Sequence, residues 1–294
     1  MHKTTALAGL AAATIFSAGC AKKDTTASTD SAAATKATPA AAVAAATPNV
    51  VTIHAKDFSF SPVAAPIPAG LTTFHLVNDG PNLHHIEIIR LDSGRTLTDL
   101  EKELAKPALP PTWAVFQGGP NAPAPGTESN ATLDLQPGNY AMICLVDLPG
   151  HVPHFAKGMV QPFTVAAPAA ATGATAPSPD MTLTLSDYSF TLSAPLTPGK
   201  HTFEVKNQGP QMHEVEFVQL APGKTIEQLL AWIDKPVGPP PGKPIGGVSP
   251  FVGAPIYFSA DFAPGNYAVL CFVPDAKDGK PHFMHGMMKQ ITVS

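Results

Sequence analysis

Short apolar runs broken by single polar residues recur along the chain, with Gly, Pro and Asn between them. A period of two sends successive side chains to opposite faces, so 50–54, 72–77, 85–91, 131–135 and 139–145 read as strands. The pattern returns at 181–185, 201–206, 214–220, 257–262, 266–272 and 289–293. One helical segment interrupts each set. Thr96-Leu97-Thr98-Asp99 opens 97–105, and Thr225-Ile226-Glu227-Gln228 opens 226–234 with a reciprocal cap. Both end near a proline, Pro107 and Pro236. The stretches that follow, 107–128 and 236–255, are rich in Pro and Gly and read as long loops. Each carries a glycine pair, Gly118-Gly119 and Gly246-Gly247.

The two sets are copies of one another. Asn78-Asp79-Gly80-Pro81-Asn82-Leu83-His84 returns as Asn207-Gln208-Gly209-Pro210-Gln211-Met212-His213. Pro137-Gly138-Asn139-Tyr140-Ala141-Met142-Ile143-Cys144 returns as Pro264-Gly265-Asn266-Tyr267-Ala268-Val269-Leu270-Cys271. Pro153-His154-Phe155-Ala156-Lys157-Gly158-Met159 returns as Pro281-His282-Phe283-Met284-His285-Gly286-Met287. A duplication drifts where nothing restrains it, so the shared His, Cys, His and Met mark one chemical set kept twice. Six or more strands per copy, with one short helix, predict an all-β chain of two tandem Greek-key β-sandwich domains. The boundaries expected are a signal peptide at 1–20, a disordered tether at 21–48, domain one at 49–166, a linker at 167–179 and domain two at 180–294.

Composition narrows the partners and the compartment. A net charge of -4 with 14% charged residues leaves no basic stripe, so no nucleic-acid partner is expected. Lys3, an apolar stretch from Ala6 to Phe16 and then Ser17-Ala18-Gly19-Cys20 form an export signal too short to span a bilayer once mature. The small residues before Cys20 resemble the bacterial lipoprotein box, although Ser17 stands where leucine is usual. That resemblance implies an exported, periplasmic or envelope protein lipid-anchored to the membrane at Cys20; ordinary cleavage near Gly19 is the alternative. Residues 21–48, mostly Ala, Thr and Ser, lack the apolar bulk to order themselves. Of the three cysteines, Cys144 and Cys271 then remain, one per repeat. A disulfide between them is disfavoured, because equivalent positions of two similar folds lie apart and a bridge would not need the accompanying His and Met.

Two imidazoles, a thiolate and a weak thioether suit both oxidation states of copper. With Cys, Pro-His-x4-Met and an upstream Asn-x-Gly-Pro-x-x-His in each copy, each repeat resembles a cupredoxin, the plastocyanin and azurin family. The resemblance implies a type 1 copper held by His84, Cys144, His154 and Met159, and another held by His213, Cys271, His282 and Met287. One departure stands out: nine residues separate Cys144 from His154 and ten separate Cys271 from His282, where the family has only a few. His151 competes as a ligand in the first loop, but Gly279 takes its place in the second, which ranks it as a loop residue or a neighbour of the site. Glu214 matches His85 beside the first ligand; it either orders that ligand or, more ordinarily, faces solvent from its strand.

The function expected is one-electron transfer at the envelope with a redox or copper-exchange partner protein. Copper storage, delivery or resistance is the alternative, favoured by Met212, Met284, His285 and Met288 where the first copy has Leu83, Ala156, Lys157 and Val160. A metal-free pseudo-cupredoxin is the remaining reading. Two-domain copper enzymes of this family place histidines beside the cysteine and carry His-x-His pairs. Here Ile143 and Leu145 flank Cys144, Leu270 and Phe272 flank Cys271, and no His-x-His occurs, so no enzyme is expected.

Overall fold

A computed structural model describes residues 46–63, 66–106, 110–148, 150–167 and 173–294. The signal segment, Cys20, most of the tether, Pro107 and 168–172 of the linker lie outside the described residues. Those described belong to one compact unit, Ala44–Ser294. They fold as the alternation predicts, into strands with two α-helices, Leu97–Leu104 and Ile226–Asp234. Both helices open with the reciprocal cap: Thr96 with Asp99, Thr225 with Gln228. Each covers its own small apolar cluster, around Leu100 in the first repeat and around Ile226 and Leu229 in the second. Among the described residues, no helix is long and apolar enough to cross a membrane.

Two large sheets make the sandwich, and both run through both repeats. One has eight strands, in the order Ser189–Leu192, Met181–Ser186, Gly199–Asn207, Ile256–Phe262, Glu128–Leu135, Gly70–Asn78, Asn49–Lys56 and Ser59–Phe60. The other has nine: Met288–Val293, Gly265–Leu270, His213–Leu220, Gly242–Phe251, Ala114–Gly118, Glu87–Leu91, Gly138–Ile143, Val160–Ala166 and Ile67–Pro68. The inward faces of both repeats feed one apolar cluster, which includes Phe74, Leu76 and Tyr140 from the first and Phe203, Phe217 and Phe258 from the second. Fully burying an aromatic side chain of this kind contributes about 1.5–3 kcal/mol.

The repeats meet through the stretches read as long loops. Those stretches instead contain the strands Ala114–Gly118 and Gly242–Phe251, which pair at Gln117 and Phe251. Their glycines and prolines conceal the alternation. The glycine pairs stand where backbones approach: a Cβ on Gly119 would strike the carbonyl of Ile86, and one on Gly247 the carbonyl of Val215. The join is pseudo-symmetric. Ser249 N–H donates to Gly119 O at 2.9 Å, and Asn121 N–H donates to Gly247 O at 3.1 Å. In the other sheet, Asn130 and Ser259 exchange side-chain-to-backbone hydrogen bonds of 2.7 and 3.1 Å.

Candidate metal centre

Each site begins with an asparagine that shapes a turn. Asn78 Nδ2 donates to the carbonyls of Asn82 and Pro123 at 2.9 and 3.0 Å, and its Oδ1 accepts from Gly80 N–H at 3.1 Å. Asn207 repeats this with Gln211, Phe251 and Gly209. The turn delivers His84, or His213, into the sandwich fully buried. Cysteine enters from the end of the Gly138–Ile143 or Gly265–Leu270 strand, and the second histidine from a single 3₁₀ turn, His154–Lys157 or His282–His285.

The long cysteine-to-histidine loops close. In the first repeat the surplus folds outward as a two-residue hairpin, Asp147–Leu148 against Val152–Pro153. In the second, Asp275 N–H donates to Lys280 O at 2.8 Å. Both then return the histidine by the same main-chain bonds: His154 N–H to Val146 O and His282 N–H to Val273 O, each 2.9 Å. Cys144 N–H donates to Met159 O at 3.2 Å, and Cys271 N–H to Met287 O at 3.3 Å. Both methionines are fully buried in the common core with the cysteines.

The convergence is nearly identical in the two copies. His84 Nδ1 lies 3.1 Å from His154 Nδ1, and Cys144 Sγ lies 3.5 Å from His154 Nδ1. His213, His282 and Cys271 give the same 3.1 and 3.5 Å. In each trio the three donor atoms lie within 4.8 Å of one another. Such spacings are those of two nitrogens and a sulfur sharing one ion at bonds of about 2.0 and 2.3 Å. The donor set therefore fits a thiolate- and imidazole-loving transition ion such as copper.

Two aspartates unnoticed in the sequence orient the first histidine of each trio. Asp57 Oδ1 is 2.7 Å from His84 Nε2, and Asp187 Oδ1 is 2.6 Å from His213 Nε2. A carboxylate only accepts, so Nε2 carries the proton and Nδ1 turns its lone pair inward. Burial lowers the pKa of His84 and His213 against the opposing pull of these aspartates. The duplicated Asp57-Phe58-Ser59-Phe60 and Asp187-Tyr188-Ser189-Phe190 carried the signal. Phe58 packs edge-on to His154 at 5.0 Å, and Tyr188 to His282 at 5.4 Å. Burial pushes the Cys144 thiol up to about 12 and raises the Cys271 thiol as well, so both are neutral when no cation is present.

Other residues singled out in the sequence fall elsewhere. His151 projects into solvent, 96% exposed, outside both trios. Glu214 does not face solvent: it is buried, and its Oε1 accepts the Phe272 N–H at 2.7 Å. Asn121 of the other repeat packs against it, its Nδ2 donating to Glu214 Oε2 at 3.0 Å. His85 does the equivalent task in the first repeat, accepting the Leu145 N–H at Nε2, 2.9 Å. Met212 is partly buried, whereas Met284, His285 and Met288 lie at the surface. A third group, Asp275, Asp278 and His285, has two exposed members, and its Asp275 is already engaged by Tyr188 and Gln211.

No family model matches the chain, and no curated protein matches it. Solved structures do. A dithionite-reduced auracyanin from the photosynthetic bacterium Roseiflexus castenholzii is 20% identical, with TM-score 0.30, over 41% of this chain and 98% of that one. A blue copper oxidase from Nitrosomonas europaea is 16% identical, with TM-score 0.26, over 84% of this chain and 86% of that one. A copper nitrite reductase from Nitrosomonas europaea is 14% identical, with TM-score 0.25, over 84% and 94%. The architecture here is a duplicated β-sandwich, and the reading of its sites rests on their own side chains.

Proposed function

We propose that each repeat holds one copper ion, with His84, Cys144, His154 and Met159 as ligands in the first and His213, Cys271, His282 and Met287 in the second. Bound copper supplies one-electron redox chemistry. The chain's residues supply the rest: Asp57 and Asp187 hold the histidine protons on the outer nitrogens, the sandwich excludes water, and the paired main-chain bonds fix cysteine, histidine and methionine relative to one another. A preformed donor set resists rearrangement when the ion changes charge, and this supports a tethered carrier of single electrons rather than a catalyst. The single observation carrying this reading is the coincidence of the 3.1 and 3.5 Å spacings in both repeats. In this proposal the chain is exported, lipid-anchored at Cys20, and works with a redox partner protein.

Copper delivery is a second reading, favoured by one observation: Met284 and Met288 are 60% and 40% exposed beside His285, next to the 3₁₀ turn that carries His282. Surface thioethers favour Cu(I). Rapid passage of Cu(I) to an acceptor, abolished by replacing these methionines, marks delivery; fast reversible electron exchange that survives their replacement marks the carrier.

The test is to add Cu(II) to the purified chain and record visible absorption and electron paramagnetic resonance. Cys144→Ser and Cys271→Ser each remove one centre's thiolate signal, and the double variant removes both. Copper spectra unchanged in the double variant overturn the assignment.

A further inference from the structure

The two centres are alike in their trios and unlike in what stands behind the second histidine. In the second repeat Asp275, on the cysteine-to-histidine loop, is buried; its Oδ2 accepts from the Tyr188 hydroxyl and from Gln211 Nε2, the latter at 3.0 Å. Its Oδ1 accepts the Lys277 N–H at 2.8 Å. Gln211 Oε1 accepts the Ala276 N–H at 2.8 Å, a bond that only the oxygen of the amide can make, so the amide faces one way. That oxygen lies 3.4 Å from His282 Nε2, and Asp275 Oδ2 lies 3.8 Å from the same nitrogen. Because His282 Nδ1 faces His213 and Cys271, Nε2 is the outward nitrogen and donates toward Gln211. Gln211 Nε2 also donates to Asp187 Oδ2 at 3.2 Å. One amide therefore spans the carboxylates behind both histidines of the trio.

The first repeat has no such latch. Phe58, Asn82 and Leu148 hold the positions of Tyr188, Gln211 and Asp275, so the hydroxyl and the loop carboxylate are missing. Asn82 Nδ2 donates to Asp57 Oδ2 and reaches no further. Among the described residues, the ring nitrogens of His154 meet partners only at Nδ1, inside the trio. Its ring rests edge-on against Phe58. The long loops serve different ends: the first folds its surplus into a hairpin, and the second turns a carboxylate back onto the site.

We propose that Asp275 is a positioning residue: with Tyr188 and through Gln211, it pins the His282 ring with its proton on Nε2 and Nδ1 turned inward before any ion arrives, whereas packing alone holds the His154 ring. A pinned donor neither turns away nor changes tautomer, so the second repeat retains its ion and the first exchanges it. The lock belongs to the ion-free chain. That it serves copper rests on the reading above.

Nuclear magnetic resonance of the full copper-free chain, with histidine ring nitrogens isotopically labelled, reads the tautomer and the solvent exchange of each ring proton. His154→Gln and His282→Gln assign the two rings. In wild type, His282 shows a single tautomer, and its ring proton exchanges about tenfold more slowly than that of His154, as one additional hydrogen bond implies. Asp275→Asn keeps the shape of the side chain and the Lys277 bond but offers a donor to the Gln211 amide, itself a donor; it abolishes the difference. Gln211→Asn installs the residue of the first repeat, which still reaches the neighbouring aspartate there, and does the same. The His213 tautomer, held by Asp187, stays unchanged in both variants, which separates loss of the latch from a general loosening of the fold. Equal exchange at His154 and His282 in wild type overturns the proposal, as does a His282 ring unmoved by both substitutions. With copper loaded, a chelator is expected to strip the first site about tenfold faster than the second, the bands being assigned by Cys144→Ser and Cys271→Ser, and Asp275→Asn brings the rates together. Equal stripping in wild type overturns the claim that the latch retains the ion. A chain that takes up no copper overturns the copper reading instead, while the ring measurements still decide the latch.

Discussion

His84 Nε2 sits 2.7 Å from Asp57 Oδ1, and that one bond decides which ring nitrogen of His84 is free to bind a cation. Removing the carboxylate frees the ring to flip or to change tautomer. Asp57→Ala is expected to weaken copper binding at the first site about 10–100-fold, and Asp187→Ala to do so at the second. Competitive chelator titration of each variant, read at the band of each site, checks this. Equal weakening at both sites in either variant would contradict the local role.

Gly80 and Gly209 make those aspartate bonds possible. A Cβ on Gly209 would lie 2.5 Å from His213 Nε2 and 2.6 Å from Asp187 Oδ1; on Gly80 the distances to His84 and Asp57 are 2.6 and 2.9 Å. Gly209→Ala is expected to destabilise the copper-free chain by about 1–3 kcal/mol and to impair the second site only. Chemical denaturation and copper titration measure the two effects separately.

Acid and base act on this fold in opposite directions. Burial lowers His85 to about 4, so the unfolded chain binds that proton more readily below pH about 6.5. The associated stability is present above that pH and is lost as pH falls through about 4; it amounts to about 3 kcal/mol for this residue. Burial raises Glu214 to about 7, so its contribution is present below the ordinary carboxylate range and is lost as pH rises through about 7. Copper-free protein is therefore expected to be most stable near pH 5–6. In Glu214→Gln, stability relative to wild type improves by up to about 3 kcal/mol between about pH 5 and 8, as read by denaturant unfolding. A constant difference across that range would refute the assignment.

Copper uptake should release protons, because the Cys144 and Cys271 thiols are held neutral by burial and must ionise to bind the cation. Affinity is expected to rise by about tenfold per pH unit through the neutral range for each thiolate formed. Weakly buffered titration with a pH indicator counts the protons; none released would mean the sulfurs are not ligands.

His151→Ala is expected to change neither the copper spectrum nor the stability by more than about 0.5 kcal/mol, because its ring is in solvent.

The trios were legible because duplication displayed them twice, and the strands because one sandwich face is apolar. The aspartates were not: Asp57 lies 27 positions from His84, and an acidic residue before an aromatic one reads as an ordinary turn. Glu87, Glu214 and Glu216 were equally hidden, since a glutamate in an alternating strand normally marks the wet face. Here that face is covered by the other repeat. Glu87 and Glu216 each accept one glycine N–H, from Gly118 and Gly246, and leave their second oxygen unpaired. The joining strands escaped notice for a related reason: their glycines are needed for close approach, and glycine erases the alternation that announces a strand.

Because both sheets cross the join, neither half is a detachable module. A half-molecule excised after Ala166 would present the Glu128–Leu135 and Ala114–Gly118 strands as bare, adhesive margins, primed to recruit another copy. Fusion of the two halves in one polypeptide supplies that neighbour at once, which gives the duplicated gene a reason to persist even while its two copies diverge.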